Sequence, residues 1–218
     1  MTGAPKVRVK RLPEKQVDDP TVLAEILRAG VLAHLAAVVD GQPYVLPVAY
    51  APWSDGIVLH GSNASRLFRH LASGAPTCAT ITLLDGLVYA RSAFESSMEY
   101  RSAMLFGSAV QLTGDRKAAA LRAISDHLLP GRWEHIRPPS EKEDKATMVL
   151  HLQPDSWSVK VGSGFADDVP ADLELLGHVW AGRVPLSTTA GPAIPDPTSA
   201  ANGTPVPAHV ADIANGPN

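Results

Sequence analysis

VLAHLAAVVDGQPYVLPVAYAPWSDGIVLH, residues 31–60, decides the fold. Its apolar segments Val31–Val39, Pro43–Ala51 and Gly56–His60 are short, and they are separated by Asp40-Gly41 and by Ser54-Asp55-Gly56. An Asp-Gly pair between apolar runs provides the positive φ that a two-residue hairpin needs, and Ser-Asp-Gly is ordinary turn chemistry. Three consecutive antiparallel strands are expected.

Upstream, DDPTVLAEILRAG (residues 18–30) reads as a short helix. Asp19 caps it, Pro20 takes the first position, Val22, Leu23, Ile26 and Leu27 share a face, and Gly30 stops it. Downstream, SNASRLFRHLASGAP reads as a helix capped by Ser62 or Asn63 that buries Leu67, Phe68 and Leu71. Thr77–Leu84 and Leu87–Arg91 then form a strand pair turned at Asp85-Gly86. Tyr100–Thr113 is a strand with Ser102, Met104, Phe106, Ser108, Val110 and Leu112 on one face. A third helix, Asp115–Leu129, is capped by Asp115, carries Leu121, Ile124 and Leu128 at helical spacing and ends at Pro130-Gly131. Thr147–Leu152 and Ser156–Val161 are the last strands, turned at Pro154-Asp155.

Hairpin-linked strands with singly inserted helices exclude a doubly wound parallel sheet. They predict a mainly β fold, an antiparallel barrel with flanking helices, over residues 1–184. Residues 185–218 are rich in Pro, Gly, Ala, Ser and Thr and are expected to form a flexible arm without secondary structure.

A chain of 218 residues with 45% hydrophobic content can bury a substantial core. Its net charge of -3 argues against nucleic acid, and the basic run Lys6–Arg11 reads as a solvated terminus. Cys78 is the single cysteine, so no internal disulfide forms, and the eight histidines lack the spacing of a metal site. GVLAHLAAVV, broken by His34, is too short to cross a membrane. With no apolar leader at the N-terminus, a soluble cytoplasmic protein is expected. GxGxxG, Walker, HExxH and GxSxG motifs are absent.

LHGSNASRLFRH, residues 59–70, brings together a strand end, a glycine and a helix N-terminus. Free backbone N–H groups of the first helical turn, the helix dipole and the Arg66 guanidinium together suit a phosphate. If the strand beginning at Tyr100 runs beside the strand ending at His60, then Ser97, Tyr100, Arg101 and Ser102 join the same site. The polar run Glu95–Ser102 would then be a pocket rim.

DGLVYARSAF, SMEYRSAMLFGSA, PGRWEHIRPP, SVKV, VWAGRVPL, PYVLPVAY and HGSNASR resemble the pyridoxamine 5'-phosphate oxidase-like flavoproteins, in the branch that includes the nitroimidazole-resistance proteins. The likeness spans Val7 to Pro197. It implies a split β-barrel, a homodimer, and FMN in a cleft between subunits. It also implies that backbone at Leu46, Pro47 and Val48 meets the flavin edge, that Ser65 and Arg66 take the phosphate, and that Gly61 and Lys160 belong to the cofactor site. Where the branch has FHHSMNYRS this chain has FESSMEYRS, so Glu95 and Ser96 replace two histidines and Glu99 an asparagine. Gly162 replaces an arginine. Carboxylates on such a rim would repel a phosphate.

An oxidoreductase acting on a small organic substrate is the expected function, with His60 as candidate proton donor and catalytic residue. Trp157 and Trp180 are candidate covers for the cleft. The Arg- and His-bearing signature of true pyridoxamine phosphate oxidases is missing near Trp157–Gly182. The alternative is a non-catalytic protein for flavin, deazaflavin or haem, in which His34, His60 or His151 is the axial ligand.

Overall fold

A computed structural model describes residues 7–214, so Lys6 of the basic run and the last four residues of the arm lie outside the described part. In chain order the elements are β1 Gln16–Val17, α1 Pro20–Ala29, β2 Leu32–Val39, β3 Gln42–Trp53, β4 Gly56–Ser62, α2 Arg66–Ala72, β5 Pro76–Tyr89 and β6 Ser97–Leu112. They continue with α3 Gly114–Leu128, α4 Glu141–Ala146, β7 Thr147–Gly162, α5 Pro170–Leu176, β8 Gly182–Pro185, α6 Pro197–Ala201 and α7 Ala208–Ala214.

The strands pair in the order β7-β4-β3-β2-β5-β6, and β6 returns to β7, which closes a barrel. β1 adds to β7 and β8 adds to β5, all antiparallel. Asp40 and Gly41 have φ of 52° and 77°, as a two-residue hairpin demands, and they join β2 to β3. Leu35, Tyr50, Ile57, Leu59, Ile81, Leu105 and Leu150 fill the interior, plugged by Ile26 and Leu27 of α1 and by Leu67, Phe68 and Leu71 of α2. Tyr50 donates its hydroxyl to the Leu27 carbonyl at 2.9 Å, so its buried polar end is satisfied. A second cluster outside the barrel packs Ala120 and Ile124 of α3 on Ala51, Val58, Leu112 and Val149.

Several local expectations are corrected. Asp85-Gly86 does not turn the chain: β5 runs straight through, and its register with β6 slips between Leu84 and Gly86. Gly86 lacks the positive φ of a hairpin turn, and it is small because a Cβ there would come within 2.7 Å of Glu99 Oε2. Pro154-Asp155 is likewise a bulge within β7, opposite Phe106 and Gly107 of β6. The shared face expected on β6 holds: the barrel core takes Ala103, Leu105 and Ala109, while Ser102, Met104, Phe106, Ser108, Val110 and Leu112 face away from it, Leu112 under α3.

Ser65, not Ser62 or Asn63, caps α2, because Ser62 to Ser65 form a turn closed by the Ser65 N–H on the Ser62 carbonyl. α3 begins at Gly114 with Thr113 as N-cap, which leaves Asp115 inside the first turn and Leu128 exposed. The arm carries α6 and α7, where no secondary structure was expected. Among the described residues no helix is long and apolar enough to cross a membrane.

Candidate functional site

β3 and β4 pair only through Tyr50–Trp53 and Gly56–Leu59, and beyond Tyr50 and Leu59 they part. Leu46, Pro47 and Val48 keep β2 on one edge, while His60, Gly61 and Ser62 keep β7 on theirs. The separation leaves backbone of both strands facing a gap, which is the split in the barrel. The start of α2 lies beside it, its Ser65 hydroxyl accepting from the Phe68 N–H at 3.4 Å. Gly61 allows this approach: a Cβ there would fall 2.7 Å from the Phe68 ring.

Arg66 is not a bare cation. Its Nη2 meets Asp40 Oδ2 at 2.7 Å, its Nη1 donates to the Tyr44 hydroxyl at 2.9 Å, and the guanidinium lies over the Tyr44 ring. Asp40 belongs to the hairpin tip and Tyr44 follows the same alternation as Leu46 and Val48. That alternation is the sequence signal that would have marked Tyr44. Both side chains of the ion pair are largely exposed, so their attraction is modest.

His60 stands at the end of β4, exposed on the rim of an open depression of about 390 Å³. Leu121, Trp133, Ile136 and Pro139 contribute apolar walls, and Arg137 borders it in a two-pronged pair with Glu143 at 2.7 Å. Partial desolvation lowers the His60 pKa from its ordinary value, which favours the neutral ring with one nitrogen lone pair available. Trp133, Ile136 and Arg137 come from PGRWEHIRPP, and their place beside His60 follows from α3 folding back over β4, which no local pattern encodes.

The remaining predicted residues form a second group. β6 lies beside β5 and β7, not beside β4, which corrects the expected single cluster at the α2 start. On β7 the partner of His60 is Val149 and the partner of Ser102 is Lys160, 11 positions on. That is roughly 36 Å of extended strand. Cross-strand register gives a row Pro47–His34–Thr80–Met104–Ser158 on the outer face. Tyr100, Ser102 and Lys160 extend that face by alternation. Arg101 points the other way and is clamped by Asp85 at 2.7 and 2.9 Å. Ser97 is exposed opposite Val88.

Glu99 does not face a phosphate. It is only 4% exposed and accepts from the Gly164 N–H at 2.9 Å and from Arg183 Nη2 at 2.8 Å. The Arg183 hydrogen bond, then the Gly164 N–H, hold its pKa below the ordinary carboxylate value. Ser96 closes its own loop, donating to the Ser92 carbonyl at 2.9 Å, and the Glu95 N–H donates to Ser92 Oγ. The departures from the family rim therefore build a loop and a strap. The strap, residues 163–185, is also tied by Arg91 to Asp168 at 2.8 Å and by Tyr89 against Trp180. Trp157 packs on the barrel core and is no cover.

Of the other histidines considered, His34 is exposed on the outer face. His151 is 8% exposed, its Nε2 3.6 Å from Asp55, and burial lowers its pKa.

Among curated proteins none matches the chain. Among solved structures, the FAD and heme binding protein from Mycobacterium smegmatis shares 40% identity over 91% of this chain and 97% of its own, with a TM-score of 0.85. The flavocytochrome Anf3 from Azotobacter vinelandii shares 36% identity over 95% of this chain and 96% of its own, with a TM-score of 0.87. A candidate 5-nitroimidazole antibiotic resistance protein from Bacteroides thetaiotaomicron, at 21% identity over 67% of this chain and 86% of its own (TM-score 0.57), shares the fold. Residues 19–161 match the pyridoxamine 5'-phosphate oxidase family model, and the chain belongs to that family.

Proposed function

We propose that this chain is a flavin- and haem-binding electron-transfer protein that works as a homodimer. The observation that carries this reading is the position of His60, an exposed imidazole at the open end of the barrel split and on the rim of an open, mainly apolar depression. His34 lies on the open sheet face with no depression around it, and His151 is only 8% exposed, which leaves no room for a macrocycle at its ring. His60 is therefore the axial ligand among the three. Trp133, Ile136 and Leu121 offer apolar walls, and Arg137 stands at the border, where an acidic side arm of a haem would have to compete with Glu143 for its guanidinium.

For the flavin, the unpaired edge of β3 at Leu46–Val48, the α2 start at Ser65 and the Arg66 guanidinium suit an isoalloxazine edge and a phosphate. Arg66 is already half-neutralised by Asp40. A terminal monophosphate concentrates up to two negative charges on one group, whereas a diphosphate spreads them over two. The site thus favours FAD over FMN, in keeping with the cofactor in the name of the Mycobacterium smegmatis relative. When bound, the flavin would accept or release two electrons and the haem one. Tyr100, Ser102 and Lys160 are too far from His60 to share its ligand within one chain, so they serve the split of a second copy.

The visible spectrum of the protein supplied with haemin and FAD tests this reading. A Soret band and flavin bands are expected, and His60→Ala should remove the Soret band while the flavin bands stay. A haem spectrum unchanged in His60→Ala would exclude His60 as ligand, and absence of both signals in the parent protein would overturn the proposal.

A further inference from the structure

A patch of apolar side chains stands uncovered where the strap joins the barrel. Once the slip between Leu84 and Gly86 is counted, alternation puts Leu84, Leu87 and Tyr89 of β5 and Met98 of β6 on the same outer face as Tyr100 and Ser102. Leu84, Tyr89, Met98 and Trp180 are each between 44% and 65% exposed. Trp180 is nonetheless held in one place. Its ring leans on Tyr89 with centroids 5.6 Å apart, and it lies so close to the backbone at Gly182 that a Cβ there would fall 2.7 Å from it. Arg183, the next residue, is pinned by Glu99, so β8 carries the ring on a fixed support. The patch cannot cover the split of its own barrel. Tyr89 is 9 positions along β5 from Thr80, which lies in the row of Pro47, and that is roughly 30 Å of strand. Arg66, tied to Asp40 and Tyr44 at the hairpin end of β3, is farther still.

The surface of the chain points to what covers the patch. A compact monomer of 23.0 kDa exposes about 9,600 Å², and this chain exposes 13828 Å². With about 1,500 Å² set aside for the ten residues outside the described part, more than about 2,000 Å² remains, roughly what each partner of an obligate homodimer covers. We propose that the patch docks on a second copy, and that Trp180 of one copy closes over the flavin ring held at Leu46–Val48 of the other. The inference rests on the flavin reading above. Tyr100, Ser102 and Lys160 adjoin the patch on the same face, so the copy that brings these polar groups to its partner's split brings the indole with them. An indole is flat, rigid and mostly apolar, and it stacks on an isoalloxazine ring as aromatic pairs do. Each site of the dimer is then built from both chains, with Arg66 and the β3 edge from one and Trp180 from the other.

Mixed dimers separate this arrangement from a contact within one chain. Trp180→Ala should weaken FAD about tenfold, and Trp180→Phe should recover part of the loss. Trp180→Ala and Arg66→Ala chains, co-expressed under different affinity tags and purified as the mixed dimer, should form one site with both groups intact and one with neither. Titration of that dimer with FAD should show one equivalent bound at the parental affinity and the other far more weakly. Two equally weakened sites, a Trp180→Ala chain that binds FAD as the parent does, or a parent that stays monomeric with FAD bound would overturn the inference while leaving flavin binding in place. A parent protein that binds no FAD would overturn the flavin reading as well.

Discussion

Arg183 reaches back across 84 positions to Glu99, and this one pair decides what a carboxylate at 99 does. Because the Glu99 pKa is depressed below 4.5, its contribution to stability is fully present above the unfolded pKa and is lost as pH falls through the folded value. Proteolysis of the strap between Gly164 and Gly182 should therefore accelerate as pH falls below about 4.5. Glu99→Gln should cleave faster at neutral pH, with a flat profile. Restoring the family asparagine at 99 should not improve flavin binding, since the acid is turned away from the split. The carboxylate that competes for Arg66, the proposed phosphate ligand, is Asp40. Asp40→Asn should free Arg66 and tighten FAD by roughly two- to fivefold at low ionic strength, with the gain fading in salt. Arg66 and His60 stood out in the sequence as candidate site residues because a strand end, glycine and helix start adjoin there. The role of Glu99 was not, because its partner is fixed only by the addition of β8 to β5.

At the scale of elements, real and false turns are separated by a backbone conformation that the sequence does not spell out. Asp40-Gly41 and Asp85-Gly86 are the same dipeptide, yet only the first has positive φ at both residues. At Asp85 the chain lies between two partners, β6 and β8, and continued pairing on both edges outweighs the local preference for a hairpin. The bulge at Gly107 is similarly built around close backbone, since a Cβ would lie 2.8 Å from the Gln153 carbonyl. Gly107→Ala should cost about 1–3 kcal/mol in chemical denaturation, the usual range for overpacking. Tyr50→Phe, which strips the Leu27 carbonyl of its buried donor, should cost about 1–3 kcal/mol. The helices were read well where the apolar face meets the barrel. The Asp19 cap of α1 was read correctly, but the caps of α2 and α3 were misread, at α2 because the Ser62–Ser65 turn takes the Ser62 hydroxyl for itself.

For the whole molecule, the outer sheet face displays Leu32, Val38, Val45 and Met104 to solvent, all more than a third exposed. A face of this kind on β2, β3 and β6 is the material of a subunit interface. Light scattering at micromolar concentration should give twice the chain mass of 23.0 kDa. A monomer that still binds FAD would show that Tyr100, Ser102 and Lys160 have no part in the site. The barrel and its helices were legible because period-two alternation and turn chemistry are local. Closure was not, because it depends on β7 meeting both β4 and β6. That double pairing also orders events during synthesis. Until residue 162 has left the ribosome, β4 and β6 each present an unpaired edge, and the wall behind His60 has no Val149 to hold it. Such contacts between distant segments form slowly, and open edges invite pairing with other chains. A nascent chain released before β7 would be a ready substrate for chaperones, and cofactor loading would have to wait for the last strand of the barrel.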